Sequence, residues 1–333
     1  MKAWLSHAAG GPETLVLGEL PTPEPRAGEL LVKVDAVGVN FPDGLLIRDL
    51  YQVMPPRPLV PGSEFCGVVQ ATGDSVTAFA RGDVVIGRCG WGAMAECIAL
   101  PADKCVRISA NLPRAEAAAF LFTFATAYHA LHDAGRLTAG ETLLVLGAAG
   151  GVGAAAIELG RALGARVLAC ASSQAKLDFS LAQGANGGLV YDARLEAGDG
   201  QRALATQLKA LAGEVGVDVV LDPVGGAYTE PALRSLNRGG RHLVVGFTAG
   251  IPRVPLNLVL LKGRHVIGVD WRSFVQFHPD ANARNVEALL GLWQAGRIEP
   301  RVTQTFSFDQ APRAIAALES REALGKLVVT LPA

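Results

Sequence analysis

Hydrophobic and polar positions alternate near the start of the chain and then change rhythm. In Leu31-Val32-Lys33-Val34-Asp35-Ala36-Val37, Val32, Val34 and Ala36 share one face and Lys33 and Asp35 the other, the two-residue period of a half-buried strand. Further short strands fit 67–70, 84–87 and 95–99, set off by turns such as Thr72-Gly73-Asp74 and Ala80-Arg81-Gly82-Asp83. That spacing predicts a barrel-like β domain. After Asn111-Leu112-Pro113 come an Ala-rich helix and a second helix near 123–134, and from Glu141 onward strands alternate with helices. The strands fit 143–146, 166–170, 189–191, 217–221, 242–246 and 265–269; the helices fit 152–163, 175–183, 203–211 and 229–236. These strands are apolar on both faces, as a parallel sheet between two helix layers requires, which predicts a doubly wound α/β domain. Beyond Trp271, a helix at 283–295, polar strands, a helix at 310–318 and Gly325-Lys326-Leu327-Val328-Val329-Thr330 form a stretch too short for a domain of its own. It is expected to rejoin the first domain, giving 1–122 as that domain's first part, 123–270 as a nucleotide-binding domain and 271–333 as the return.

Composition narrows the function classes. With 333 residues, 50% hydrophobic and 18% charged, the chain can bury enough surface to fold, and disorder is excluded. Lys+Arg 30 against Asp+Glu 31 leaves no net positive field, so no general nucleic-acid binding is expected. The longest apolar stretch, 115–131, is interrupted by Glu116, Thr123, Thr126, Tyr128 and His129 and falls short of the roughly 20 residues that span a bilayer. The opening Met-Lys-Ala-Trp lacks the apolar core of a secretory signal. The five cysteines, Cys66, Cys89, Cys97, Cys105 and Cys170, contain no Cys-x-x-Cys pair and read as reduced thiols. A cytoplasmic protein without membrane contact is the expectation. Histidines 7, 129, 132, 242, 265 and 278 look scattered, with no metal-ligand spacing. The 39 glycines, without a three-residue period, mark tight turns and close backbone approaches around a large flat ligand.

One of those glycine clusters carries the chemistry. Leu143-Leu144-Val145-Leu146-Gly147-Ala148-Ala149-Gly150-Gly151-Val152-Gly153 reads as a buried strand, a glycine-rich turn and the start of a helix. Small residues let the backbone approach a pyrophosphate, and free amides at the helix start point at its charge, so Ala149, Gly150, Gly151, Val152 and Gly153 are assigned to a dinucleotide. Ala148 stands where the strict Gly-x-Gly-x-x-Gly pattern has its first glycine. No Gly-Lys-Ser/Thr follows, which excludes an ATP-binding P-loop, and there is no Gly-x-Ser-x-Gly hydrolase elbow. An NAD site wants an acid at the end of the second strand. Here the chain offers Ser172, Ser173 and Lys176, donors suited to a 2′-phosphate, with Tyr191 adding a phenol from the neighbouring strand. The two serines also suit capping of the next helix, with Lys176 in solvent. NADPH is the expected cofactor. Gly246-Phe247-Thr248 and Val269-Asp270-Trp271 end the fifth and sixth strands on the carboxyl side, where ligands bind in open sheets, so Gly246, Phe247 and Val269 are assigned to the cofactor. Trp271 suits either a cofactor contact or dimer packing.

Several stretches together resemble the zinc-free quinone oxidoreductases of the medium-chain dehydrogenase/reductase superfamily over nearly the whole chain. They are Val37-Gly38-Val39-Asn40-Phe41-Pro42-Asp43, Val60-Pro61-Gly62-Ser63-Glu64-Phe65-Cys66-Gly67, the 148–153 turn, Asp222-Pro223-Val224-Gly225-Gly226, Pro255-Leu256-Asn257-Leu258 and Gly325-Lys326. The resemblance implies a GroES-like β-barrel catalytic domain plus a Rossmann sheet, a nicotinamide in the cleft between them, and a homodimer. It implies no metal, because Asn40 and Ser63 stand where zinc-dependent relatives carry a Cys and a His ligand. Carried over by position, Asn40 and Thr126 are similar to residues facing the nicotinamide, Val224 belongs to the cofactor side, and Tyr51 is similar to the aromatic lining a quinone cleft. Tyr51 equally suits ordinary loop packing, and the Thr126 hydroxyl a bond to its own helix. Lys326 resembles a cofactor contact or is solvated, and Asp43 and Arg48 suit a supporting pair.

The function read from these features is hydride transfer from NADPH to a quinone. The alternative is NADPH-dependent reduction of the double bond of an enone or enoyl thioester, for which Arg48, Arg57 and Arg272 would supply cationic contacts to coenzyme A phosphates. A third reading, a dinucleotide-binding structural or RNA-binding protein, lacks a basic stripe to support it.

Overall fold

The structure, a computed structural model, describes residues 1–320 and 323–332. In chain order the strands are Lys2–Leu5 (β1), Val16–Glu19 (β2), Glu29–Val39 (β3), Glu64–Thr72 (β4), Val84–Arg88 (β5), Cys97–Pro101 (β6), Cys105–Arg107 (β7), Thr142–Leu146 (β8), Arg166–Ala171 (β9), Gly187–Val190 (β10), Val217–Asp222 (β11), Leu236–Val244 (β12), His265–Gly268 (β13), Val302–Ser307 (β14) and Lys326–Thr330 (β15). They divide between two units, Met1–Phe122 with the segment from Pro300 onward, and Thr123–Glu299.

The first unit is organised by β3. Val32, Val34 and Ala36 are buried while Lys33 and Asp35 are half-buried, as the alternation requires. The sheet runs β14-β15-β3-β4-β5-β7, with β6 also paired to β3. The first half of β3 pairs with β6, from Glu29 opposite Pro101 to Lys33 opposite Cys97, and its last residues pair with β15, Val39 opposite Leu327. On its other edge β4 runs antiparallel, with Gly38 opposite Glu64. This register carries three chemically distinct segments, 38–40, 63–64 and 326, to one end of β3. Leu30, Val32, Val37, Phe65, Val85, Phe306, Ile315 and Val329 belong to the core beneath.

The second unit is a six-stranded sheet in the order β10-β9-β8-β11-β12-β13, every neighbour parallel. Strand order reverses between β8 and β11, the switch point at which ligands bind in such sheets. Leu143, Leu144, Val145 and Leu146 of β8 are fully buried, consistent with a strand covered on both faces. The helices fall at Gly151–Ala162, Gln174–Ala182, Asp199–Ala212 and Thr229–Ser235, each within a few residues of its expected place. β12 starts at Leu236, earlier than the expected 242, because Leu236 pairs with Val217 before a register shift absorbs the Gly-rich residues that follow. The segment near 123–134 is helical but widened, with π-type turns at 121–125 and 129–134.

The expected return at 271 is corrected by the structure: it comes at Pro300. Helices Trp271–Phe277 and Pro279–Gln294 stay with the nucleotide-type unit. The Trp271 indole N–H donates to Asn282 Oδ1 at 3.1 Å, Asn285 donates to Asp133 at 2.7 Å, Arg297 donates to the Ala162 carbonyl at 2.8 Å, and the Phe274 ring stacks on His129 at 4.1 Å. Among the described residues no helix is long and apolar enough to cross a membrane.

Candidate functional site

Two polar assemblies stand out, one in each unit. In the second, β8 runs into a turn whose left-handed residue is Gly147, φ 58°. That conformation strains any residue with a Cβ, so the turn glycine sits one place before Ala148, and the departure from the strict pattern there is without cost. Gly150 caps the following helix in extended conformation and gives its amide to the Gly147 carbonyl at 3.0 Å. The first intrahelical bond is made by the Ala154 amide to Gly150, at 2.8 Å. The amides of Gly151, Val152 and Gly153 precede it and form the donor end of the helix. A Cβ at Gly153 would lie 2.4 Å from the Gly147 carbonyl oxygen, so only glycine lets the helix seat this closely on the strand. These features fit a pyrophosphate.

At the end of β9, Ser173 caps the helix Gln174–Ala182 by accepting the Lys176 amide at 3.4 Å, and the Lys176 ammonium donates to Ser172 Oγ at 3.2 Å. Ser173 thus caps the helix as one reading expects, and Lys176 lies against Ser172 rather than free in solvent. Tyr191, expected beside them, is buried beneath the glycine turn: its hydroxyl hydrogen-bonds the Gly147 backbone and its ring lies 4.7 Å from that of Tyr228. Burial, with Cys170 and Tyr228 close by, pushes its phenol well above the ordinary range, so it stays protonated.

The ends of β11 and β12 are zipped together. The Ala249 amide donates to the Val224 carbonyl and the Gly226 amide to that of Gly250, both at 2.7 Å. Val224 reaches the glycine turn, its Cγ2 lying 2.9 Å from where a Cβ on Gly147 would stand. Gly246 adjoins Pro223, and Phe247 beside it is half exposed. The structure thus gathers the 147–153 turn, Val224, Gly246 and Phe247 at the carboxyl ends of β8, β11 and β12. Val269 follows β13, its amide on the Val244 carbonyl at 2.9 Å. Trp271, read as either a cofactor contact or dimer packing, is buried within its own unit, its indole N–H on Asn282. Thr126 is buried in the widened helix.

The sequence did not signal what holds the Val224 turn. Asp222, at the end of β11, accepts the amides of Val224 and Gly225 on Oδ1 (2.9 and 2.8 Å) and bonds from Thr229 Oγ1 and His242 Nε2 on Oδ2 (2.7 and 3.0 Å). Burial alone would raise its carboxyl, but the hydrogen bonds from His242, Gly225 and Thr229 hold it below the usual range. Two of the six histidines share a partner: His129 and His132 both bond Asp133, at 2.9 and 2.8 Å.

In the first unit, Asn40 caps the helix Phe41–Ile47, and its own amide is held by Asp43 Oδ2 at 2.8 Å. Its side chain is fixed from both ends. Oδ1 accepts the Lys326 ammonium at 2.7 Å, and Nδ2 lies 3.0 Å from Glu64 Oε1, 3.1 Å from Ser63 Oγ and 3.2 Å from the Gly38 carbonyl. Lys326 also donates to Glu64 Oε1 at 2.8 Å and the Val39 carbonyl at 3.0 Å, while Glu64 Oε2 accepts the Phe122 amide at 2.8 Å. An ammonium has three hydrogens. All three of Lys326 are used here and the side chain is buried, so it is neither solvated nor left with a donor for a cofactor phosphate. Gly38 makes the room, since a Cβ there would fall 2.6 Å from Glu64 Oε1. Burial pushes the Asp43 carboxyl up to about 7, against the lowering effects of the Asn40 amide and Lys326.

The expected Asp43–Arg48 pair does not form. Arg48 binds Glu319, and Arg57 binds Asp49 at 2.7 Å and the Ile47 carbonyl at 3.1 Å. Tyr51 is half-buried against the first unit's core. Among the described residues no cluster of three or more His, Cys, Asp or Glu side chains is arranged to hold a metal ion.

Comparison with known proteins agrees with this architecture. Residues 26–110 match the alcohol dehydrogenase GroES-like domain, and 196–329 match the zinc-binding dehydrogenase family. The chain is 35% identical to the quinone oxidoreductase-like protein 2 of Bos taurus over 95% of its own length and 89% of the relative's. The Escherichia coli quinone oxidoreductase, solved with NADPH, superimposes with a TM-score of 0.89 at 28% identity, covering 99% of this chain and 100% of that one. The CurK enoyl reductase gives 0.86 at 27% identity, covering 99% of each. From the paired domains, the switch-point glycine turn and these full-length likenesses, the chain belongs to the quinone oxidoreductase family of medium-chain dehydrogenases and reductases.

Proposed function

We propose that this oxidoreductase uses NADPH to reduce a quinone without a metal ion. The observation that carries the metal-free reading is Lys326. Its ammonium lies on the Asn40 and Glu64 oxygens, so a dication there would meet a buried positive charge already holding those ligands. NADPH is supported by Ser172, Ser173 and Lys176 at the end of β9, by the 147–153 turn and by the cofactor named with the Escherichia coli relative. When bound, NADPH supplies the hydride. The residues of the chain orient and exclude: Gly151–Gly153 amides meet the pyrophosphate, Lys176 the 2′-phosphate, Val224, Gly246, Phe247 and Val269 line the nicotinamide side, and Asn40, Tyr51 and Thr126 are the candidates for the reacting end.

Reduction of a polarised carbon–carbon double bond is the second reading, favoured by the likeness to an enoyl reductase. Against a coenzyme A thioester stand Arg48 and Arg57, whose guanidinium groups are engaged by Glu319 and Asp49. The test follows NADPH absorbance with ortho- and para-quinones, simple enones and crotonyl-CoA, after dialysis against a chelator. Turnover with quinones that survives chelation is expected. Turnover with the thioester alone sinks the quinone reading, and loss of activity on chelation sinks the metal-free one.

A homodimer is part of the proposal. β13 is the open edge of the six-stranded sheet, and Val266 on it, with Ile251, Leu256, Leu260 and Leu261 nearby in sequence, leaves apolar surface exposed. Open apolar edges are normally covered. Light scattering on a sizing column should give twice the 34.6 kDa chain mass; a monomer at micromolar concentration refutes it.

A further inference from the structure

The buried polar cluster at the end of β11 does more than fill the core. Asp222 bonds the backbone of the turn on one oxygen and two side chains on the other, so its position dictates where the Val224 and Gly225 amides lie. The same turn is tied to the 246–250 loop through Ala249 on Val224 and Thr248 Oγ1 on the Pro223 carbonyl at 3.3 Å. Val224 in turn rests on the Gly147 end of the dinucleotide turn. His242 lies two residues before the end of β12 and has no solvent exposure. Its Nε2 faces Asp222, whereas Nδ1 is buried with no hydrogen-bond partner among the described residues. A proton on Nδ1 would be an unsatisfied buried donor, which costs about 1–3 kcal/mol, so the arrangement selects the Nε2–H tautomer. The histidine carries an idle nitrogen that an apolar pairing at positions 222 and 242 would not, so stability alone does not call for it. What it supplies is a rigid, directed donor to one carboxylate oxygen.

We propose that His242 is a positioning residue for NADPH: through Asp222 it fixes the Pro223–Gly226 turn, and hence Val224, in the conformation that receives the cofactor. Thr229 is its partner in this role, as the second donor to the same oxygen. The inference rests on the reading of NADPH as cofactor and deepens it, since Asp222 and His242 touch the cofactor only through the turn.

The test compares His242→Gln, which keeps a donor at the Nε2 position, with His242→Phe and Thr229→Val, which remove one donor each. NADPH binding is followed by fluorescence titration, and KM and kcat with the best quinone or enone acceptor. His242→Phe and Thr229→Val should raise the NADPH dissociation constant and KM by about tenfold, because binding must then also order a turn no longer held in its receiving conformation. kcat at saturating NADPH should change little, and His242→Gln should stay within about threefold of wild type. Nitrogen NMR of wild type should show the imidazole proton on Nε2. If His242→Phe does not fold, Thr229→Val and the NMR tautomer decide. Unchanged NADPH affinity in a folded His242→Phe or Thr229→Val, a loss confined to kcat, or an Nδ1–H tautomer overturns the proposal. Wild type that binds no NADPH at all overturns the cofactor reading instead, so the two failures are separable.

Discussion

Gly153→Ala and Gly150→Ala are a matched pair that separates the packing role of the glycine turn from its binding role. At Gly153 a methyl would sit 2.4 Å from the Gly147 oxygen, 2.9 Å from Ala148 Cα and 3.0 Å from the Ala148 carbonyl carbon. All three are backbone atoms of a turn anchored by β8, so none can swing aside as a side-chain tip does. Alanine gains about 0.8–1.0 kcal/mol in helix propensity. Overpacking of a close contact typically costs about 1–3 kcal/mol, and this clash is with main chain, which places it at the upper end. The net loss is about 1–2 kcal/mol, or roughly 2–8 °C in Tm for a unit of this size. At Gly150 the backbone is extended, φ −79° and ψ 169°, and a Cβ would meet only the Gly147 oxygen at 3.4 Å, an ordinary contact. Gly150→Ala should therefore unfold within about 0.5 kcal/mol of wild type. Because Gly150 is exposed at the helix start, its methyl should still hinder close approach of a pyrophosphate and weaken NADPH binding. Thermal unfolding without cofactor and fluorescence titration with NADPH read the two effects apart. An unchanged Tm for Gly153→Ala, or a lowered one for Gly150→Ala, refutes the packing argument.

Lys326→Met leaves the Glu64 carboxylate, 1% exposed, without its counter-charge, and should cost about 3–5 kcal/mol in denaturant unfolding, most of it recovered by adding Glu64→Gln; a harmless single variant would show the pair is not buried as described. Asp43, raised to about 7 in the folded state against roughly 3.9 unfolded, favours folding while protonated, so its contribution is present below about pH 4 and is lost as pH rises toward 7. Asp43→Asn, which keeps an acceptor for the Asn40 amide, should flatten that fall and raise Tm at pH 8; a parallel pH–Tm curve counts against it. Lys176→Glu should weaken NADPH binding far more than NADH binding by setting a like charge beside the 2′-phosphate, and equal losses would remove Lys176 from that site.

What the sequence disclosed and what it hid divide along a physical line. β3, β8 and the glycine turn are local: alternation, a buried apolar run and φ-permissive residues announce themselves within a dozen positions. The Lys326–Glu64–Asn40 cluster is not local. It exists because β15 and β4 flank the same end of β3, a register no window of sequence contains, so Lys326 read as a cofactor contact. The one trace it left was a lone Glu64 in the apolar run Phe65-Cys66-Gly67-Val68-Val69, and His242 left a similar one in front of Leu243-Val244-Val245. The misplaced return at 271 has a different cause. Helices Trp271–Phe277 and Pro279–Gln294 carry an apolar stripe that would suit either unit, and only partners far away in sequence, His129 for Phe274 and Asp133 for Asn285, show which one they cover.

These placements change what the near-zero net charge means for phosphate recognition. Both Lys176 and Lys326 were candidates to meet the cofactor, and by residue type they are equivalent. Their surroundings are not. Lys326 is cancelled inside the first unit by Glu64 at 2.8 Å and has every hydrogen used, so its charge contributes to burial of the Asn40 side chain and not to any ligand. Lys176 is only partly buried, donates to the hydroxyl of Ser172 at 3.2 Å, and lies in the first turn of the helix that follows β9, the strand next to β8. On the proposed reading it is therefore Lys176, and not Lys326, that is placed to meet a 2′-phosphate, and the comparison of NADPH with NADH binding in Lys176→Glu is the measurement that decides it.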